Sequence, residues 1–190
     1  QERPFVEPPK GMDALMIGAG GAARAVAFYL AEILAHGSLL ICNRTADTAR
    51  SLAEEVREVF GNASAIREEE IGPWAPKVGL IINCSTKGQG GIRKCSDGKI
   101  TILEPYSALA PANPTSIPES EYGKPEFYRD WLSASLADIE ANNRASLELA
   151  LSTPFNVGFC DLIYFPIETV FLRHGRLSGH RTMNGKGMNV

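Results

Sequence analysis

Between Asp13 and Leu30 the chain reads Asp-Ala-Leu-Met-Ile-Gly-Ala-Gly-Gly-Ala-Ala-Arg-Ala-Val-Ala-Phe-Tyr-Leu. A short apolar run, Ala14 to Ile17, meets a glycine-rich turn, and Val26, Leu30, Ile33 and Leu34 then recur at helical spacing. Strand, tight turn and helix follow one another, with small residues in the pattern Gly18-x-Gly20-x-x-Ala23. In that setting each small residue has a task in dinucleotide binding. Gly18 lets the chain turn sharply out of the strand. Gly20 carries no Cβ to bar a pyrophosphate from the backbone, and Ala23 lets the helix lie close to the strand. The first N–H groups of the helix and its positive dipole end then face the phosphates.

The rest of the chain alternates strands and helices. Ser38 to Cys42 reads as a second strand, Ala46 to Phe60 as a helix whose Ala49, Leu52, Ala53, Val56 and Phe60 share one face, and Ala63 to Ile66 as a third strand. A turn of helix is expected near Glu69. Lys77 to Asn83 is apolar without alternation, as a strand covered on both faces should be. Residues 92–125 are broken by Pro105, Pro111, Pro114, Pro118 and Pro125 and predict a long surface loop. A helix is expected over 126–151, with Asn142 and Asn143 able to divide it. Gly158 to Phe165 reads as a strand stopped by Pro166, Glu168 to Leu177 as a helix, and Arg181 to Asn184 as a last strand. The first twelve residues, with Pro4, Pro8, Pro9 and Gly11, predict an extended opening segment. This succession predicts an α/β fold: a Rossmann-type doubly wound parallel sheet in strand order 3-2-1-4-5-6, with a long insertion between the fourth and fifth strands. The expected organisation is a single nucleotide-binding domain over 1–190, with its core in 11–91 and 156–190 and the insertion in 92–155.

Composition excludes several classes. The net charge is −3 with scattered basic residues, which argues against nucleic acid, and no apolar run reaches membrane length. The polar, proline-rich start is unlike a secretory leader, and its lack of an initial Met points to a fragment or a processed chain. Cys42, Cys84, Cys95 and Cys160 form no C-x-x-C pair; they read as reduced cysteines of a cytoplasmic protein, and no metal site is expected.

Four motifs in order resemble the shikimate dehydrogenase family. They are Gly18-Ala-Gly-Gly-Ala-Ala-Arg24, Asn43-Arg-Thr45, Ile82-Asn-Cys-Ser-Thr-Lys-Gly88, and Asp161-Leu-Ile-Tyr-Phe-Pro166 with Asn184-Gly-Lys-Gly-Met188. The match covers that family's carboxy-terminal nucleotide domain, and 92–155 has no counterpart in the pattern. The resemblance implies hydride transfer between NADP(H) and 3-dehydroshikimate or shikimate, with quinate dehydrogenation or a non-catalytic NADP-binding regulatory role as alternatives. It also implies aromatic amino-acid biosynthesis, a small-molecule substrate, and room for a homodimer. The family's proton-moving Lys and Asp lie on an amino-terminal domain, so no catalytic residue is placed in this chain, and the chain alone is expected to be inactive.

The cofactor contacts implied are Gly18, Ala19, Gly20, Gly21, Ala22 and Ala23 at the phosphates, and Asn83, Cys84, Ser85 and Thr86 lining the nicotinamide ribose. Leu162, Gly185 and Met188 fall at the ring, and Tyr164 falls on the substrate side. At the end of the second strand an acid would bind the ribose of NAD; Asn43, Arg44 and Thr45 stand there instead. The Arg44 fork suits a 2′-phosphate, which favours NADP over NAD. The second basic residue common in the family, three positions after Thr45, is replaced by Thr48.

Overall fold

A computed structural model of the chain describes residues 11–188, so the expected opening segment lies almost wholly outside the described residues. Four strands come first: β1 (Ala14–Ile17), β2 (Leu39–Cys42), β3 (Ala63–Ile66) and β4 (Leu80–Asn83). A small antiparallel sheet follows, built from β5 (Ile92–Lys94), β6 (Lys99–Ile102) and β7 (Ile117–Pro118), and the chain then returns to the main sheet with β8 (Gly158–Asp161) and β9 (Arg181–Met183). The helices are α1 (Gly21–Leu34), α2 (Ala46–Phe60), α3 (Ile71–Trp74), α4 (Phe127–Ser152) and α5 (Val170–Leu177).

The main sheet has six parallel strands in the order β3-β2-β1-β4-β8-β9, which is the doubly wound order expected. Its residues are apolar on both faces because both faces are covered. Ala14, Met16, Leu39, Ile41, Leu80 and Ile82 face Ala23, Ala27, Leu30 and Leu34 of α1 and Leu52 and Val56 of α2. The alternate residues Leu15, Ile17, Leu40 and Ile81 pack with Ile71 of α3, Ala150 of α4, and Phe171 and Leu172 of α5. Strand order reverses between β1 and β4, and the carboxyl ends of these two strands open the crevice in which such sheets hold ligands.

Three stretches differ from expectation. Residues 92–125 do not form a plain loop, since β5–β7 cover a third apolar cluster of Ile100, Ile102, Leu103, Tyr106, Phe127 and Trp131. The helix over 127–152 is unbroken. Asn142 Nδ2 donates to the carbonyls of Ser107, Ala110 and Pro111, and Asn143 Nδ2 to that of Pro105 as well as to that of Ile139 one turn back in the helix, so both amides tie the helix to the preceding segment without breaking it. The strand expected over 158–165 ends at Asp161, because the Asp161 carboxylate captures the Ile163 N–H (2.9 Å) and turns the chain out of the sheet.

Candidate dinucleotide site

β1 delivers Gly18 at φ +114°, a conformation that L side chains rarely adopt. A Cβ there would stand 2.6 Å from the Cys84 carbonyl carbon and 2.7 Å from the Ser85 nitrogen, so the turn after β1 lies directly on the loop after β4. Gly20 is the N-cap of α1, with ordinary extended backbone (φ −81°, ψ −173°), and open space surrounds the position of its missing Cβ. No side chain caps α1 and no acid sits in its first turn, so its leading N–H groups and dipole are free for an anion. Ala23 is fully buried under the sheet and serves helix packing rather than contact. Arg24 is engaged elsewhere, in an ion pair with Glu55 and over the Phe28 ring.

A cleft of about 260 Å³ runs from this turn across the strand ends. Gly18, Ala19 and Gly20 line it together with Asn43, Arg44 and Thr45 from the β2 end and Cys84, Ser85 and Thr86 from the β4 end. Asn43 Nδ2 donates to the Thr45 carbonyl (3.1 Å), which shapes the turn that presents Arg44. Lys87 and Glu68 also line this cleft. Lys87 Nζ donates to Glu68 Oε1 (2.6 Å) and to the Ala110 carbonyl (2.9 Å), with both side chains mostly buried. This pair was not legible from spacing alone, because Glu68 belongs to an acidic connection and Lys87 to a glycine-rich loop.

The loop after β4 is ordered from beneath by Asn83, which is fully buried and does not itself line the cleft as the sequence suggested. Asn83 Oδ1 accepts from the Ser85 N–H (2.9 Å) and the Ser85 hydroxyl (2.7 Å), while its Nδ2 donates to the Lys87 carbonyl (3.0 Å) and to Asp161 Oδ1 (3.1 Å). Asp161 also accepts from the Ile163 N–H and from the Thr169 hydroxyl (2.7 Å), and Thr169 caps α5 at Leu172. One buried carboxylate thus joins β4, the loop after β8 and α5.

Burial pushes the Asp161 carboxyl up to about 6, against the opposing pull of its hydrogen bonds from Thr169, Ile163 and Asn83. A carboxyl raised on folding contributes stability that is full below its unfolded pKa near 3.8 and is lost as pH rises through about 6. At about 1.4 kcal/mol per unit, roughly 3 kcal/mol is at stake. Asp161→Asn keeps the shape without the charge. Relative to wild type it is expected to gain stability between pH 4.5 and 7.5 in urea titrations; parallel pH profiles for the two proteins would contradict this.

A second cleft of about 450 Å³ adjoins the first through Cys84, Ser85 and Thr86. Ala22, Gln89, Leu162 and Tyr164 line it, and the Tyr164 ring stands exposed at its mouth. Gly185 is pressed against the Leu162 carbonyl, where no Cβ would fit. Asn184 Nδ2 donates to the Ile163 (3.2 Å) and Ile167 (2.8 Å) carbonyls, pinning the turn Gly185–Met188 to this rim. The Met188 side chain falls outside the described residues. Of the remaining sequence candidates, Gly21 opens α1 without lining either cleft. Burial raises the Cys42 and Cys160 thiols to about 12 and the Cys84 thiol further still, which leaves them protonated and unreactive.

No family model matches the chain. Among curated proteins it is 30% identical over 178 residues to the NADP(+) shikimate dehydrogenase of Nitrobacter winogradskyi, a match that covers 93% of this chain and 43% of that protein. Among solved structures, a shikimate dehydrogenase in complex with NADP+ superposes with TM-score 0.57 at 23% identity, over 95% of this chain and 46% of its own. A quinate dehydrogenase from Corynebacterium glutamicum in complex with NAD superposes with TM-score 0.62 at 17% identity, over 96% and 47%. At these identities the superpositions speak to fold. The chain spans a little under half the length of the curated relatives it matches. By sequence over nearly all its residues, and by fold, the chain matches the carboxy-terminal nucleotide-binding portion of the shikimate dehydrogenases.

Proposed function

We propose that this chain is the NADP-binding domain of a shikimate dehydrogenase-like oxidoreductase, single over 1–190, which works with an amino-terminal substrate domain. The observation that carries the proposal is the run of two joined clefts, from Gly18, Gly20 and Arg44 through Cys84, Ser85 and Thr86 to Leu162 and Tyr164. Bound there, the nicotinamide supplies or accepts the hydride exchanged with 3-dehydroshikimate or shikimate.

The chain's own residues hold and orient. The free N–H groups of α1 take the pyrophosphate, and Ala19, Gly21 and Ala22 flank it. Asn43, Arg44 and Thr45 take the adenosine ribose and its 2′-phosphate. Cys84, Ser85 and Thr86 hold the nicotinamide ribose, while Leu162, Gly185 and Met188 set the plane of the ring. Tyr164 faces the substrate. Proton transfer falls to the amino-terminal domain. This reading has the protein working in the cytoplasm, with room for a homodimer. Among the described residues no helix is long and apolar enough to cross a membrane.

Purified chain is expected to bind NADP in calorimetry yet show no NADP-dependent oxidation of shikimate. Turnover by the chain alone would refute the division of labour, and absence of nucleotide binding would refute the site. The family resemblance carries a second reading, in which quinate is the substrate of the whole protein. Supplying the amino-terminal domain and comparing oxidation of quinate with that of shikimate decides between them.

A further inference from the structure

The small sheet between β4 and β8 does more than bridge the crossover, because part of it walls the nucleotide cleft. Leu103, Ala112 and Arg93 line that cleft together with Gly18, Gly20 and Arg44. The wall is fixed to the cleft floor at two points. The Gly88 N–H donates to the Leu103 carbonyl (2.8 Å), and Lys87 Nζ donates to the Ala110 carbonyl (2.9 Å).

Alternation along β5 sorts its side chains. Ile92 packs into the small sheet's own apolar cluster. Arg93 lies on the other face, and its Nη1 donates to Thr86 Oγ1 (3.0 Å). Thr86 lines both the first cleft and the second, so Arg93 is tethered where the two meet. The start of α1 borders the same junction, with Gly20 in the first cleft and Ala22 in the second, so a pyrophosphate taken by its N–H groups lies on the side of the nicotinamide ribose that Arg93 faces.

Charge points the same way. Lys94, the next residue, is paired with Glu119, and Glu68, the acid in the cleft, is paired with Lys87. Arg93 forms no ion pair with any described residue, and its remaining N–H groups are available. An unneutralised guanidinium fork held by a neutral hydroxyl suits a phosphate oxygen.

We propose that Arg93, carried by β5, is a second pyrophosphate-binding group of the dinucleotide site, acting with the α1 N-terminus. The proposal rests on the nucleotide-site reading above. NADP and NAD share the pyrophosphate, so Arg93 governs the affinity for both and leaves the choice between them to other residues.

Calorimetry of wild type, R93A and R93K with NADP, NAD and adenosine 2′-monophosphate tests it. R93A is expected to weaken both dinucleotides by a similar factor, roughly ten- to a hundredfold for one charge-assisted contact. Adenosine 2′-monophosphate, which has no pyrophosphate, should bind as to wild type, and R93K should fall between. Should R93A fail to fold, R93Q, which can keep the Thr86 hydrogen bond without the charge, takes its place. Unchanged dinucleotide affinity in R93A would overturn the proposal, as would an equal loss of adenosine 2′-monophosphate. Wild type that binds neither dinucleotide would instead overturn the underlying site reading.

Discussion

Gly20→Val is expected to abolish measurable dinucleotide binding in a chain that still folds, whereas Gly18→Val is expected to damage the fold as well. The two glycines stand two residues apart but face different constraints. At Gly20 the backbone is ordinary and nothing stands within 4 Å of an added Cβ. The open space is where the pyrophosphate must approach, so a branched side chain competes with ligand rather than with protein. The cost to folding is limited to a poorer helix cap, about 1 kcal/mol. At Gly18 the backbone is left-handed and a Cβ would press on the Cys84 and Ser85 backbone, which cannot swing aside as a side chain could. Strain of about 1–3 kcal/mol adds to a similar cost for overpacking. The melting temperature should therefore fall by on the order of 10 °C. Thermal melts and NADP calorimetry on both variants separate the effects. Normal NADP affinity in a folded Gly20→Val variant would remove the glycine turn from the site, and a wild-type melt for Gly18→Val would contradict the close approach of β1 and β4.

The main sheet was legible where local signals agreed with tertiary context. β1, α2 and β3 fall on the residues expected, because each is an apolar or amphipathic run closed by glycine or a polar turn. The Asn43-Arg44-Thr45 turn and the Cys84-Ser85-Thr86 loop, read from the sequence as cofactor contacts, line the crevice because strand order brings both strand ends to it. Legibility failed where long-range polar contacts decide. Leu162, Ile163, Tyr164 and Phe165 look like strand, yet the Asp161 carboxylate ends the strand and leaves Tyr164 and Phe165 exposed on the rim. In 92–125 the strands are too short to show alternation, and the prolines read as breakers although Pro118 itself closes β7 at the sheet edge. Arg93 was therefore passed over as a loop residue, and the Lys87–Glu68 pair could be found only once the segments that follow β3 and β4 were seen to meet across the strand ends.

Arg44→Ala is expected to weaken NADP far more than NAD. NADP differs from NAD only by a phosphate on the adenosine ribose, so a residue that reads this phosphate changes the ratio of the two affinities. Arg44 stands exposed on the cleft rim, on a turn held by Asn43, and it forms no hydrogen bond or ion pair with another described residue. The next cation along α2 is occupied, since Arg50 Nη1 lies 2.8 Å from Asp47 Oδ1. With Thr48 neutral, the preference for a dianion at this turn falls on one guanidinium. A charge-assisted contact of this kind contributes on the order of 1.5–3 kcal/mol, or roughly ten- to a hundredfold in affinity. Because the group is exposed, added salt should narrow the difference between wild type and variant. Arg44→Asp should go further and reverse the preference, since a carboxylate repels the phosphate and accepts a hydrogen bond from a free 2′-hydroxyl. The ratio also distinguishes Arg44 from Arg93, whose removal should lower both affinities together. Titration of both cofactors against wild type and Arg44→Ala measures it. A NADP/NAD ratio that stays within about twofold, a shift of under 0.5 kcal/mol, would leave Arg44 a solvated turn residue and take away the physical basis for NADP.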